Sequence, residues 1–235
     1  MKLSQTTLTV LSNFASINQN IYIEQGNIIK TKAPNSMSVI ATAEIGEQFP
    51  RAFGIYELSK FLNTLNLFED PDLEFNEGHM TIEKGKSKAS YAYTQPDLVD
   101  GVKDYSKEIT APAPLLKFTL TEDVFKRIQK SAKLFGVEEI NIASGESGLV
   151  RITASGSAMN AANANKFTVD VDAPETWNDG VSVNIKLDTL KFLPGDYASD
   201  ISIVEKNGKK IGVCKFKNET IQDATVSYLV AASAD

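Results

Sequence analysis

One order of secondary-structure patterns occurs four times along this sequence, and that repetition restricts the fold more than any single motif does. Residues 2–17 contain a helical stripe of apolar residues, and alternating hairpin patterns follow it. The second half repeats this order around a predicted helix at 122–135. The later part of each half repeats it again, with predicted helices at 57–68 and 186–193. We therefore predict an α+β fold of four β-α-β-β-β units, two in each half of the chain.

A proline-rich segment separates the two halves. Residues 95–114 contain three prolines and few apolar residues in any regular period. Proline disfavours helix and removes a hydrogen-bond donor from a strand, so we expect an extended connector at about 95–114. The predicted domains are residues 1–110 and residues 111–235.

The composition excludes several classes of protein. Hydrophobic residues make up 42% of the 235 residues, which is enough for a folded core. The longest apolar runs are far shorter than the roughly 20 residues of a membrane span. One cysteine, Cys214, and one histidine, His79, exclude an internal disulfide and a histidine-cluster metal site. No signal-peptide pattern opens the chain, so we expect a cytosolic protein without metal, cofactor or membrane.

Motifs for catalysis are weak. Ser144–Leu149 lacks the second glycine of a nucleophile elbow, and His79 lies in a predicted strand hairpin rather than beside a nucleophile. Cys214 alternates with its neighbours in a predicted strand and fits a small core residue. We therefore predict that the protein is not an enzyme.

The charges are unevenly distributed between helices and the rest of the chain. The sequence has 24 basic and 30 acidic residues, a net charge of −6, so a protein that binds phosphate over its whole surface is excluded. Helix 122–135, however, is predicted to place four cations opposite its apolar face, with its acids confined to the first turn. This pattern indicates one surface that faces phosphate, although an ordinary solvated helix face fits it as well.

Four short motifs follow one another at family-like spacing over essentially the whole chain: Met1–Ser4, Leu11–Asn18, Ile55–Leu58 leading into Phe61 and Leu62, and Leu190–Tyr197. With these motifs the chain resembles the DNA polymerase sliding clamps, and closely those of large tailed bacteriophages. No single motif is diagnostic; their order and spacing together are.

The resemblance implies a DNA-clamp fold and a non-enzymatic function. Such clamps are homotrimeric rings of two-domain subunits, with helices lining the hole on one face of curved antiparallel sheets. Double-stranded DNA passes through the ring without sequence preference, and the ring tethers the replicative DNA polymerase after an ATP-driven clamp loader has placed it. We also expect a role as a mobile activator that binds late-transcription factors, in the cytoplasm of the infected bacterial host.

The resemblance also assigns roles to two sets of residues. The DNA-facing set comprises the four cations of helix 122–135 and four lysines from the other helical segments: Lys126, Arg127, Lys130, Lys133, Lys2, Lys60, Lys186 and Lys191. An apolar pocket beneath the interdomain connector would bind tail peptides of partners through Met37, Ala111, Pro112, Tyr228, Leu229 and Val230. For any one residue of this second set, a place in the core fits the sequence equally well.

Two other interpretations of the residue patterns stay open at this stage. A self-assembling phage shell or tail protein would have a β-rich fold and no DNA function. A DNA-binding regulator would place helix 122–135 in a groove, and its affinity for linear DNA would fall steeply with salt. The segment Asn160–Asn165 has no counterpart in the family pattern.

Overall fold

The computed structural model describes residues 1–34, 36, 38–99, 112–155 and 165–234. The chain divides into two compact units, Met1–Glu108 with Ile221–Val226, and Ile109–Thr220 with Ser227–Asp235. The predicted domain boundary between residues 110 and 111 lies outside the described residues and stays a prediction. The predicted α+β class is confirmed in both units, whose strands pair antiparallel around their helices.

The first unit contains two α-helices and seven complete strands among the residues that the structure describes. In chain order these are α1 (Gln5–Ile17), β1 (Ile21–Ile23), β2 (Gly26–Lys32), β3 (Val39–Phe49), β4 (Phe53–Ile55), α2 (Leu58–Leu65), β5 (Asp72–Phe75), β6 (His79–Lys84) and β7 (Ser87–Ala92). Strand β1 pairs with β4, β2 pairs with β3, and β5, β6 and β7 form a three-stranded sheet.

Apolar side chains of both helices form the core of the first unit. Helix α1 buries Val10, Leu11 and Phe14, and α2 buries Leu58 and Phe61, as their helical spacing predicts. The two helices pack against each other. Their opposite faces are left to solvent.

The second unit contains one α-helix and an antiparallel sheet in its described part. The elements are β8 (Leu116–Leu120), α3 (Glu122–Phe135), β9 (Glu139–Ser144), β10 (Leu149–Ser155), β11 (Lys166–Asp172), β12 (Thr176–Trp177), β13 (Ser182–Lys186), β14 (Tyr197–Lys206), β15 (Lys209–Asn218) and β16 (Ala224–Ala234). The strand order is β11-β10-β9-β13-β16-β15-β14-β8-β12. Helix α3 packs over β10 and β11.

The predicted helix at 186–193 is wrong. Only a 3₁₀ turn, Leu187–Thr189, forms there. The Tyr228 hydroxyl accepts a hydrogen bond from the Leu193 N–H at 3.1 Å, and the Tyr197 hydroxyl donates one to the Leu193 carbonyl at 2.5 Å. Because the Leu193 N–H donates to a tyrosine hydroxyl, it does not donate to the carbonyl four residues earlier, as an α-helix requires. Phe192 then stacks on Tyr228, with ring centroids 4.5 Å apart.

We predict that Tyr228→Phe lowers the free energy of unfolding by about 1–3 kcal/mol, because the buried Leu193 N–H loses its acceptor. Tyr56→Phe is the matched control, since Tyr56 is 57% exposed. We expect that change to stay within about 0.5 kcal/mol of the wild type. Urea unfolding followed by circular dichroism measures both variants, and equal midpoints would contradict the role given to the Tyr228 hydroxyl.

Candidate nucleic-acid interface

The start of helix α3 is fixed by two oxygen acceptors. The Thr121 hydroxyl accepts from the Val124 N–H at 3.3 Å, as expected for an N-cap. The Asp196 carboxylate, from the segment before β14, accepts from the Glu122 N–H at 2.7 Å. Gly136 ends the helix in the left-handed conformation, with φ of 64°. The helix therefore has a defined start, end and orientation on its unit.

All four cations predicted on α3 are exposed, but they are not equivalent. Lys126 forms an ion pair with Glu122 at 2.5 Å, one helical turn before it. Arg127 lies 3.7 Å from the carboxylate of Asp123 and also 5.5 Å above the Phe167 ring of β11. Both acids of the first turn therefore compensate the first two cations.

Lys130 and Lys133 have no carboxylate within 4.0 Å in the part of the chain that the structure describes. Exposed ammonium groups on flexible side chains form point-charge contacts with phosphate and have little geometric preference. Lys130 and Lys133 are thus the two α3 cations most available to a polyanion.

The remaining cations of the DNA-facing set differ in their surroundings. Lys2 forms an ion pair with Asp70, which also contacts Lys84. The hydrogen bond with Asp70 raises the pKa of Lys2 and lowers that of Asp70. Lys60 lies 2.6 Å from the carboxylate of Glu57.

Lys186 and Lys191 are both exposed and flank the 3₁₀ turn that replaces the predicted fourth helix. Their predicted place on a helix is therefore corrected, while their exposure agrees with the prediction. Their role toward DNA stays a prediction.

Helix α1 presents a neutral polar surface and is also fixed at its start by a carboxylate. Its exposed positions include Gln5, Thr9, Ser12 and Ser16. A neutral surface of this kind does not repel phosphate.

Glu47 of β3 accepts a hydrogen bond from the Ser4 N–H and another from the Thr7 hydroxyl, the latter at 2.6 Å. The sequence analysis missed both Glu47 and Asp196. No local pattern marks either residue, because each bonds a helix start more than 40 positions away.

The predicted pocket residues are divided between two faces of β16. Tyr228 and Val230 are fully buried in the core, which does not support their prediction as surface pocket residues. Leu229 lies on the opposite face, because side chains alternate along a strand, and is partly exposed. Pro112 is exposed, and its carbonyl accepts a hydrogen bond from the Ser202 hydroxyl at 3.1 Å. Met37 and Ala111 lie outside the described residues.

Leu229 belongs to an apolar group that the sequence analysis missed. Cross-strand partners lie on the same face of a sheet, and the register pairs Val204 with Ile211 and Val213 with Ala231. Leu229 lies on this face two positions before Ala231. We name these five partly or fully exposed residues the outer stripe: Val204, Ile211, Val213, Leu229 and Ala231. Strand alternation was the signal that could have identified them.

The structure bears on two kinds of chemistry, a reactive thiol and a metal site. Cys214 is buried, and burial raises the pKa of its thiol to about 12, which keeps it protonated. No group of three or more His, Cys, Asp or Glu that could hold a metal occurs within the described ranges. No helix in those ranges is long and apolar enough to span a bilayer.

Comparison with known proteins decides between the interpretations. Residues 2–99 match the model of the DNA polymerase processivity factor family. The sliding clamp of Vibrio phage KVP40 is 31% identical over 206 residues, which cover 86% of this chain and 90% of that protein. The chain belongs to the phage sliding clamp family.

A second phage relative and two solved structures agree with this assignment. The sliding clamp of Enterobacteria phage T4 is 27% identical over 241 residues, covering 100% of this chain and 98% of that protein. The fold is similar to that of A. fulgidus PCNA in its complex with the C-terminal region of FEN-1, with a TM-score of 0.65 and 12% identity. The Sulfolobus tokodaii PCNA2–PCNA3 complex gives a TM-score of 0.60 at 14% identity. Both alignments cover 97% of this chain and 95% of the other. The clamp fold and the family expected from the sequence motifs are thereby confirmed.

We predict that Glu47→Gln destabilises this clamp by about 0.5–2 kcal/mol at pH 7, because a neutral amide is a weaker acceptor at the start of α1. Burial opposes ionisation of Glu47, but the hydrogen bonds from Ser4 and Thr7 outweigh it and lower the pKa of the carboxyl. A depressed folded-state pKa gives stability that is complete above the ordinary value of about 4.5 and is lost as pH falls through the folded value.

Urea unfolding at a series of pH values measures this difference. Glu44→Gln, an exposed substitution on the same strand, is the control and should leave stability nearly unchanged. A wild-type advantage over Glu47→Gln that persists unchanged far below pH 4.5 would contradict the assignment.

Proposed function

We propose that this processivity factor acts as a homotrimeric ring that encircles duplex DNA and tethers the replicative polymerase. Two strand edges support ring formation, since within the described residues β7 pairs only with β6 and β11 only with β10. An unpaired edge offers a row of free backbone groups to another chain. Because one edge lies in each unit, pairing of β7 in one copy with β11 in the next gives a head-to-tail contact, and such contacts form a ring when the rotation between successive copies closes.

The surroundings of the two edges are alike. Helix α2 packs beside β7, with the Phe61 and Tyr91 rings 5.2 Å apart, and α3 packs beside β11. A leucine just after α2, Leu67, and one in the last turn of α3, Leu134, are each 77% exposed. Both leucines lie at the ends of the helices beside the two unpaired edges. Because they are so exposed, they are suited to burial between copies.

Duplex DNA is proposed to pass through the ring along α3 and the neutral surface of α1. The exposed Lys130 and Lys133 offset phosphate repulsion, whereas the net charge of −6 discourages binding elsewhere on the protein. Contacts of this kind have no sequence preference and are weak enough to permit sliding. An ATP-driven loader would place the ring on DNA in the host cytoplasm.

Partner tail peptides are proposed to bind the outer stripe beside Pro112. A. fulgidus PCNA, a structural neighbour, is described in complex with the C-terminal region of FEN-1. The polymerase and the clamp loader would use the stripe in turn. From family resemblance alone, we also propose that the clamp activates transcription and that late-transcription factors bind the outer stripe.

We predict that a ring loaded on nicked circular DNA stays bound in high salt until the circle is cut, because retention is topological. Gel filtration before and after linearisation measures it, together with light scattering, which should give three times the 25.6 kDa chain mass. Equal loss from circular and linear DNA would overturn the ring, and a monomer at every concentration would do the same.

We predict that Lys130→Glu combined with Lys133→Glu reduces the length of DNA synthesised per binding event by roughly tenfold. The two substitutions replace two positive charges at the DNA surface with two negative ones, which repel phosphate. Lys30→Glu with Lys86→Glu changes the same charge on the first unit outside any helix and should preserve synthesis. Unchanged processivity of the Lys130→Glu and Lys133→Glu variant, at a light-scattering mass that matches the wild type, would count against the α3 surface.

We predict that Leu229→Arg lowers the affinity for a polymerase tail peptide at least tenfold, because a charge is introduced into the outer stripe. The residue is partly exposed, so the trimer should still form, and light scattering checks that. Fluorescence anisotropy with a labelled peptide measures the affinity. An intact trimer that binds the peptide as tightly as the wild type would remove the outer stripe from the proposal.

A further inference from the structure

Two lysines lie directly opposite each other at the tip of the β14–β15 hairpin. The register pairs Lys206 with Lys209 across the Asn207-Gly208 turn. Both turn residues have positive φ, 55° and 71°, as a type I′ turn requires, so the hairpin tip has a defined geometry. Like charges directly opposite in a sheet destabilise it. We call Lys206 and Lys209 the tip lysines.

Nothing among the described residues compensates the tip lysines. Both are exposed, and no carboxylate in the described ranges lies within 4.0 Å of either. The adjacent pair, Glu205 and Lys210, projects to the opposite face of the hairpin, because side chains alternate along the strands. Farther along the tip-lysine face, Asp200 lies between Lys215 and Lys117 in the strand register. The tip lysines are therefore two uncompensated positive charges at the hairpin end of this face.

The tip lysines continue directly into the outer stripe. Val204 and Ile211 are the next cross-strand pair on the same face, and Val213 with Ala231 follow across the neighbouring strands. One surface of the second unit therefore combines a partly exposed apolar stripe with two unpaired cations at one end. A DNA backbone would leave the apolar stripe unused, whereas a peptide with both apolar and acidic residues would use the whole surface.

We propose that the tip lysines select partner peptides in which acidic residues flank the apolar anchors. This inference rests on the proposed peptide site and specifies the chemistry of its ligand. Apolar anchors would contact the outer stripe, and the acidic residues at one end of the peptide would lie against Lys206 and Lys209. In a chain with a net charge of −6, the tip lysines would give acidic tails a local attraction at one end of the outer stripe.

The test uses the intact protein and synthetic 12-residue peptides that share the same leucine and phenylalanine anchors. Each peptide has three aspartates or three asparagines, placed either before or after the anchors. Fluorescence anisotropy at low and physiological salt gives the affinities for four proteins: the wild type, Lys206→Glu with Lys209→Glu, Leu229→Arg, and the control Lys30→Glu with Lys86→Glu. Circular dichroism and light scattering verify that each variant is folded and assembled like the wild type.

We expect one acidic peptide to bind the wild type about 5–10-fold more tightly than its asparagine version at low salt, and less so at higher salt. The tip-lysine substitutions should abolish this preference, and the control should retain it. Leu229→Arg should weaken binding of every peptide.

Three results would overturn the inference in distinguishable ways. If acidic and asparagine peptides bind equally well and Leu229→Arg still weakens peptide binding, the selection by charge is removed but the peptide site stays in place. Unaltered binding by folded Leu229→Arg, or no binding to the wild type, removes the peptide site itself. Tip-lysine substitutions that weaken DNA binding and leave peptide affinity unchanged assign the hairpin to DNA instead.

Discussion

Each of the two long helices begins at a carboxylate supplied by a distant part of its own unit. Glu47 binds the start of α1, and Asp196 binds the start of α3. These acceptors satisfy donors that a helix leaves free in its first turn and complement its positive end. The orientation of the polar face of each helix depends on this anchorage, as does any function in which those faces meet DNA.

Ion pairs at the start of α3 determine which of its cations have no acidic partner among the described residues. Acids cluster at the start of α3, where Glu122 and Asp123 pair with Lys126 and Arg127. The later turns have no such acids, so the positive charge is greatest toward the C-terminal end, where the helix dipole favours cations. An acidic protein can thus present a locally basic surface without becoming basic as a whole. For a sliding clamp, this combination favours weak contact with DNA over tight binding.

The described residues of the second unit form one α-helix, whereas those of the first form two. Aromatic side chains pack together just after the 3₁₀ turn that replaces the predicted fourth helix. Phe192 packs against Phe125, Tyr197, Phe216 and Tyr228, with centroid distances of 4.5–5.5 Å. This aromatic cluster supports the inner face of β14, β15 and β16. The outer face of those strands remains available, and there the apolar outer stripe lies next to the tip lysines.

Features that depend on near neighbours in the chain could be predicted from local sequence patterns. The apolar period of α3, its acidic first turn, the Asn207-Gly208 hairpin and the α+β class all follow from spacings of a few residues, and the family motifs agree with them. The other features depend on contacts between residues far apart in the chain. Tyr228 accepts a hydrogen bond from Leu193, 35 positions away at the end of the predicted fourth helix, and Glu47 and Asp196 bind helix starts 43 and 74 positions away. The division of Tyr228, Leu229 and Val230 between two faces depends on which face of β16 meets the core. A hydrogen bond between residues so far apart in the sequence forms only when folding brings them together, so no local sequence pattern predicts it.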